Sequence, residues 1–145
     1  MADFDLGTFV PYLLNQAAEE TGQGFARIYK ARYGMLRTEW RVLFHLGRYG
    51  DMSASEVGRL SKTHKTKISR AVAALGRKRF VAKRESAEDR RREILTLLPL
   101  GRRAFEDLVV VAERQNMAML ESLSQAEREI LIKCLRKLAG FGPTG

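Results

Sequence analysis

Apolar residues recur at helical spacing over residues 9–32, at Phe9, Tyr12, Leu13, Ala17, Phe25, Ile28 and Tyr29. Gly22 and Gly24 weaken the middle of this stretch and permit a kink. Thr38 is placed to cap a second helix with Trp40, Leu43, Phe44 and Leu46 on its inner face, ending near Gly47 or Gly50. Ser53-Ala54-Ser55-Glu56 has capping-box spacing and opens a short helix that turns Val57 and Leu60 inward. The next helix covers residues 64–78. Ile68, Val72 and Leu75 fall on its inner face, and Lys65, Lys67, Arg70 and Arg77 fall on its outer faces.

After Arg79 the period changes. Residues 80–84 and 93–97 read as two short strands, and the charged stretch 85–92 reads as the loop between them. A long helix starts near Pro99, with Phe105, Leu108, Val109, Ala112, Met119 and Leu120 as its stripe. Ser124-Gln125-Ala126-Glu127 is a second capping box. It opens a last helix carrying Ile130, Leu131, Cys134, Leu135 and Leu138, and Gly140 is placed to stop it. Pro11, Pro99 and Pro143 are the only prolines. The expected fold is mainly α with a small β-hairpin wing. Residues 53–78 form a helix-turn-helix without glycine in its turn around residues 61–63, and the hairpin makes it a winged helix.

At 145 residues one domain is the default. Lys plus Arg number 26 against 17 acidic residues, for a net charge of +9. Residues 59–92 hold 13 basic and 3 acidic residues, so they carry +10, and the rest of the chain carries −1. So focused a charge points to a polyanion docking on this stretch. Other classes fall away. No apolar run reaches the ~20 residues of a membrane span. The start of the chain holds Asp3 and Asp5 without a basic residue, unlike a targeting peptide. One cysteine excludes an internal disulfide framework, and two histidines leave no metal site to expect. Neither a cofactor motif nor a nucleophile constellation is present, so the chain is read as a cytoplasmic protein that is not an enzyme.

Thr38-Glu39-Trp40-Arg41-Val42-Leu43, Lys65-Thr66-Lys67-Ile68-Ser69-Arg70, Asp89-Arg90-Arg91 and residues 97–101 together resemble the MarR family of bacterial transcriptional regulators. The most specific part is Asp89-x-Arg91 followed by Leu97 and Gly101, and the resemblance covers residues 9–139. It implies a single domain over residues 1–145. Helices at 9–34 and 102–139 would interlock two copies into a triangular homodimer, and residues 38–98 would form the winged helix-turn-helix that binds double-stranded DNA. The family represses genes, and many members release DNA when a small aromatic acid or phenolic effector binds. Three positions depart from its pattern. Arg79 stands where Gly is usual, Leu98-Pro99 replaces the usual Thr, and His64 replaces an Asp cap.

Lys65, Thr66, Lys67, Ser69 and Arg70 are the expected contacts of the recognition helix to base edges and phosphates. Arg90 and Arg91 lie in the wing. The resemblance gives Arg91 the minor groove and Asp89 the task of orienting the wing. Lys62, Arg77, Lys83 and Arg84 are expected at phosphates or in solvent. By position in the family, Tyr12, Tyr29, Trp40, Arg41 and His45 would line an effector pocket, the aromatics covering a ring and Arg41 or His45 pairing with a carboxylate. The competing reading of these aromatics is ordinary core. Cys134 reads as a small apolar residue of the dimer interface, because the oxidation-sensing members usually carry their cysteine in the first helix. The alternative function is that of a non-specific nucleic-acid-binding or architectural protein, which the same basic stretch would serve.

Overall fold

The computed structural model describes residues 3–142. Met1, Ala2 and residues 143–145, with Pro143 and both ends of the expected domain, lie outside the described residues. A 3-10 turn at Leu6–Thr8 precedes α1 (Val10–Tyr33), α2 (Arg37–Tyr49), β1 (Met52–Ser53), α3 (Ala54–Ser61), α4 (Lys65–Arg77), β2 (Val81–Glu85), β3 (Glu93–Leu97), α5 (Pro99–Leu120) and α6 (Gln125–Leu138). The chain divides into two compact units, one up to Val111 and one from Ala112.

In the first unit the core is built from Tyr29, Met35, Val42, Leu43, Leu46, Val57, Ile68, Val72, Leu75, Leu95 and Leu108. Ile68, Val72 and Leu75 are buried on α4 as their spacing requires, and Ala71 joins them. The hairpin is also present, with Val81 opposite Leu97 and Glu85 opposite Glu93. The spacing does not reveal β1, two residues long, which pairs antiparallel with β3 through Met52–Leu95 and Ser53–Ile94 and makes a three-stranded sheet of order β1-β3-β2.

Several local expectations need correction. The weakening expected at Gly22 and Gly24 does not interrupt α1, which is one helix through both. Leu36, not Thr38, is the N-cap of α2, with no side-chain cap, and Gly50 ends that helix. Leu60 is exposed, because the short α3 turns only Val57 fully into the core. Ser53 caps α3 by accepting the Glu56 N–H at 3.1 Å. The Glu56 carboxylate meets the Ser53 hydroxyl and Arg92, so Glu56 completes no reciprocal capping box.

Gly101 explains one element of the sequence pattern. A Cβ there would lie 2.1 Å from the Phe80 carbonyl oxygen, so the first turn of α5 reaches the β2 edge only with glycine. That carbonyl also accepts the Leu98 N–H at 2.9 Å. Arg79 adopts φ +62° and makes the left-handed turn for which glycine is better suited. Asp107 on α5 accepts the Tyr33 hydroxyl at 2.6 Å, and both of its oxygens lie 3.0 Å from the Arg32 guanidinium. Burial, followed by the neighbouring Asp107 carboxylate, pushes the Tyr33 phenol up to about 12. The hydrogen bonds from Tyr33 and Arg32 hold Asp107 below its ordinary value.

In the second unit, Ser124 and Glu127 form the complete reciprocal capping box and α6 follows. Gly140 takes a left-handed conformation beyond its end. α6 has no buried residue. Ile130 is 61% and Leu138 63% exposed, Leu135 is exposed and Leu131 is half-buried. Cys134, expected to be covered, is exposed in the single chain.

Candidate nucleic-acid interface

The turn between α3 and α4 dispenses with glycine in the turn itself. Lys62 takes the left-handed conformation, at φ +53°, and the Thr63 N–H donates to the Gly58 carbonyl at 2.9 Å. The glycine lies at position 58, where an added Cβ would sit 3.2 Å from the Thr63 carbonyl. The Ser61 hydroxyl donates back to the Val57 carbonyl at 2.6 Å. His64 is the N-cap of α4, its Nδ1 accepting the Thr66 N–H at 3.1 Å, so imidazole does the work of the expected Asp.

Since α4 buries Ile68, Ala71, Val72 and Leu75, its remaining face is set by the helical repeat. Lys65, Thr66, Lys67, Ser69 and Arg70 are all exposed on it, and Arg77 is exposed in the last turn. Beside α4, the N-terminal end of α2 leaves a groove of about 790 Å³ lined by Arg37, Glu39, Lys67, Arg70 and Arg77 among others. Glu39 is only 5% exposed. Its Oε1 has no hydrogen-bond partner and lies 3.7 Å from Lys78 Nζ, an ion pair between α2 and the end of α4. Glu39 shares the inner face of α2 with Val42, Leu43 and Leu46 by helical spacing, although its charge argues for solvent.

The wing tip is a built turn. The Ser86 N–H donates to the Arg92 carbonyl at 2.9 Å and the Arg92 N–H to the Asp89 carbonyl at 3.0 Å. Asp89 Oδ1 accepts the Arg91 N–H at 3.0 Å, which fixes the backbone beneath Arg91. Arg90 and Arg91 are exposed and carry no ion pair among the described residues. Lys83 and Arg84 differ from them. Lys83 faces Glu93 at 3.8 Å and Arg84 faces Asp51 at 3.5 Å, so each already has an intrachain counter-charge. Lys62 is exposed at the end of α3. Among the described residues the basic stretch is therefore graded, with unpaired cations along the outer face of α4 and at Arg90 and Arg91, and paired ones at Lys83, Arg84 and Arg92.

Of the five residues expected at an effector pocket, Tyr29, Trp40, Arg41 and His45 are neighbours and Tyr12 stands apart. Tyr29 is buried and stacks at a tilt on half-buried Trp40 with ring centroids 6.2 Å apart. Burial pushes its phenol above the ordinary value, against the opposing pull of Arg37. Tyr12 is exposed 17 residues earlier on the same helix, roughly 25 Å along its axis. Arg41 and His45 are half-buried on α2, His45 Nδ1 lying 2.6 Å from the Arg41 carbonyl. The aromatic assembly that does form joins Tyr29 and Trp40 to Phe25, Phe44 and Phe105. Phe105 comes from α5, a partner no local pattern could supply. Among the described residues no helix is long and apolar enough to cross a membrane, and no cluster of three potential metal ligands occurs.

A helix-turn-helix whose second helix presents a basic face, followed by an ordered wing tied to a third strand, defines a winged helix-turn-helix protein. Residues 33–92 match the model of the MarR family. The chain is 24% identical over 107 residues to the HTH-type transcriptional regulator YwaE of Bacillus subtilis, a match covering 74% of this chain and 63% of that relative. The matched part thus spans less than two thirds of that relative's length. The structure of PcaV of Streptomyces coelicolor, in complex with its natural ligand, is 25% identical with a TM-score of 0.78, covering 97% of this chain and 98% of that one. BpsR of Bordetella bronchiseptica, whose DNA binding is regulated by 6-hydroxynicotinic acid, shares the fold at a TM-score of 0.85 and 23% identity, covering 95% of this chain and 98% of its own. The family match thus covers residues 33–92, and the likeness in fold to the PcaV and BpsR structures extends over nearly the whole chain.

Proposed function

We propose that the protein is a homodimeric repressor that binds a pseudo-palindromic operator and is released by a small effector. The observation that carries this reading is the placement of unpaired cations and hydroxyls on the exposed face of α4, together with Arg90 and Arg91 at the tip of a hydrogen-bonded wing. In this reading Lys65, Thr66, Lys67, Ser69 and Arg70 enter a major groove, Arg91 enters the neighbouring minor groove with Asp89 holding the wing backbone, and Arg77 and Lys62 lie at phosphates. Lys83 and Arg84 have a smaller part, because their charge is already answered.

A second copy of the chain supplies the cover that α6 lacks. Ile130, Leu135, Leu138 and Cys134 form an exposed apolar surface on α6, and Phe9, Val10, Leu13 and Leu14 another at the start of α1. Such surfaces on a regulator of palindromic DNA fit a two-fold dimer, with half-sites about 10 bp apart. The repressor then works in the cytoplasm by occluding RNA polymerase. An effector releases it by favouring a dimer whose recognition helices are wrongly spaced. PcaV, with its natural ligand, supports a small effector, and BpsR, regulated by 6-hydroxynicotinic acid, supports an aromatic acid or phenolic compound. The aromatic assembly around Trp40 is where we place it.

The test is selection of duplexes from a randomised pool, followed by titration at about 150 mM salt. A palindromic site bound at least ~1,000-fold tighter than scrambled DNA is expected. Equal affinity for both would replace the specific repressor with a non-specific architectural protein.

A further inference from the structure

The wing has little to stand on. A two-stranded hairpin is marginal alone, and β1 adds only Met52 and Ser53 to it. Two ion pairs reach it from the segment that precedes and begins α3. Asp51, just ahead of β1, holds Arg84 on β2. Glu56, in the first turn of α3, holds the Arg92 guanidinium.

Glu56 is itself fixed. Its N–H donates to Ser53 Oγ at 3.1 Å, and the Ser53 hydroxyl lies 3.3 Å from its carboxylate Oε1. Ser53 is buried and paired with β3. At the other end of the pair, Arg92 closes the wing loop, its carbonyl accepting from Ser86 and its N–H donating to Asp89. Asp89 in turn fixes the Arg91 backbone. A continuous set of contacts therefore runs from Ser53 through Glu56 and Arg92 to Arg91, and α3 packs directly on α4.

We infer that Glu56 and Arg92 form a positioning pair that sets the pose of the wing against the recognition helix, making Glu56 a determinant of specificity that touches no DNA. The inference rests on the DNA-reading function proposed above. A surface ion pair contributes little to stability. Its effect here is geometric, because an arginine reads a narrow groove only where it is held in place.

The inference reverses the sign expected of an acidic residue on a DNA-binding face. If Glu56 acted only by repelling phosphate, removing its charge would tighten all DNA binding. As a positioning residue, its loss weakens the cognate site while random DNA binds as well as before or better.

The experiment uses the full chain, a duplex selected by the wild type from a random pool, and a scrambled duplex of the same composition. Glu56→Gln keeps an acceptor for Ser53 and removes the charge. Its ratio of cognate to scrambled affinity is expected to fall about threefold to tenfold, with scrambled DNA bound no more weakly. Arg92→Gln changes net charge in the opposite direction, so it binds both duplexes more weakly, yet its ratio falls equally. Combining Glu56→Arg with Arg92→Glu restores the ratio. A Glu56→Gln protein that binds both duplexes tighter by one factor overturns the inference. If the wild type selects no sequence, the DNA-reading premise has failed, and amide exchange over residues 86–92 then decides the pairing. Faster exchange in both single variants upholds it, and unchanged exchange ends it.

Discussion

α4 and α6 are amphipathic helices of 13 and 14 residues, with apolar residues four apart on one side. α4 buries four side chains in the core of its own unit, whereas α6 buries none. The contrast separates two things that helical spacing runs together. An apolar stripe says that a face requires cover. It does not say that the same chain provides it. On α4 the cover is internal, so the opposite, basic face is left for a partner. On α6 the apolar face is itself exposed, and it is the surface proposed above for a second copy.

The comparison is broken most severely at α6. Leu135→Asp puts a charge into the proposed dimer contact and should convert the protein to monomer at micromolar concentration, with operator binding lost. Sedimentation would measure this, and a monomer that still binds a full palindrome tightly would refute the architecture. On the basic side, Arg91→Ala should weaken operator binding about tenfold while the dimer persists. Arg84→Ala should cost less than about threefold, because its charge is paired with Asp51. Equal losses in gel shifts would show that the grading of the basic stretch has no functional meaning.

Two smaller effects probe the first unit alone. Gly101→Ala should destabilise it by about 1–3 kcal/mol, since the Phe80 carbonyl occupies the space of the new methyl. Urea titration reads this directly. Tyr33→Phe should cost about 1 kcal/mol at neutral pH. The folded-state value of Tyr33 is raised from 10 to about 12, so the neutral phenol's contribution is complete below pH 10 and is lost between pH 10 and 12. The variant's melting temperature should therefore fall less steeply than that of the wild type across that window.

The helices and hairpin were legible because their information is local. Ile68, Val72 and Leu75 share a face by spacing alone, and Ser124 with Glu127 makes its capping box within four residues. What escaped depends on distant chain. β1 is two residues that become a strand only against Ile94 and Leu95, some forty positions away. Asp107 finds Tyr33 and Arg32 across more than seventy residues. Glu39 lies on the inner face of α2 by spacing, but the Lys78 ammonium that answers its charge comes from nearly forty residues away. The basic stretch showed its total charge in sequence. Which of its cations are answered by Asp51, Glu56 and Glu93 is a property of tertiary structure.

Trp40 is the one tryptophan of the chain, set edge-on against Phe25 and Phe44 in the first unit. Excited at its red edge, where the four tyrosines do not absorb, the protein thus has a single emitter, placed in the first unit. Its emission should follow unfolding of that unit and ligand entry among the neighbouring rings. Changes confined to α6 should leave it unaltered. One optical signal can thereby distinguish loss of the proposed dimer from loss of the fold, without any added label.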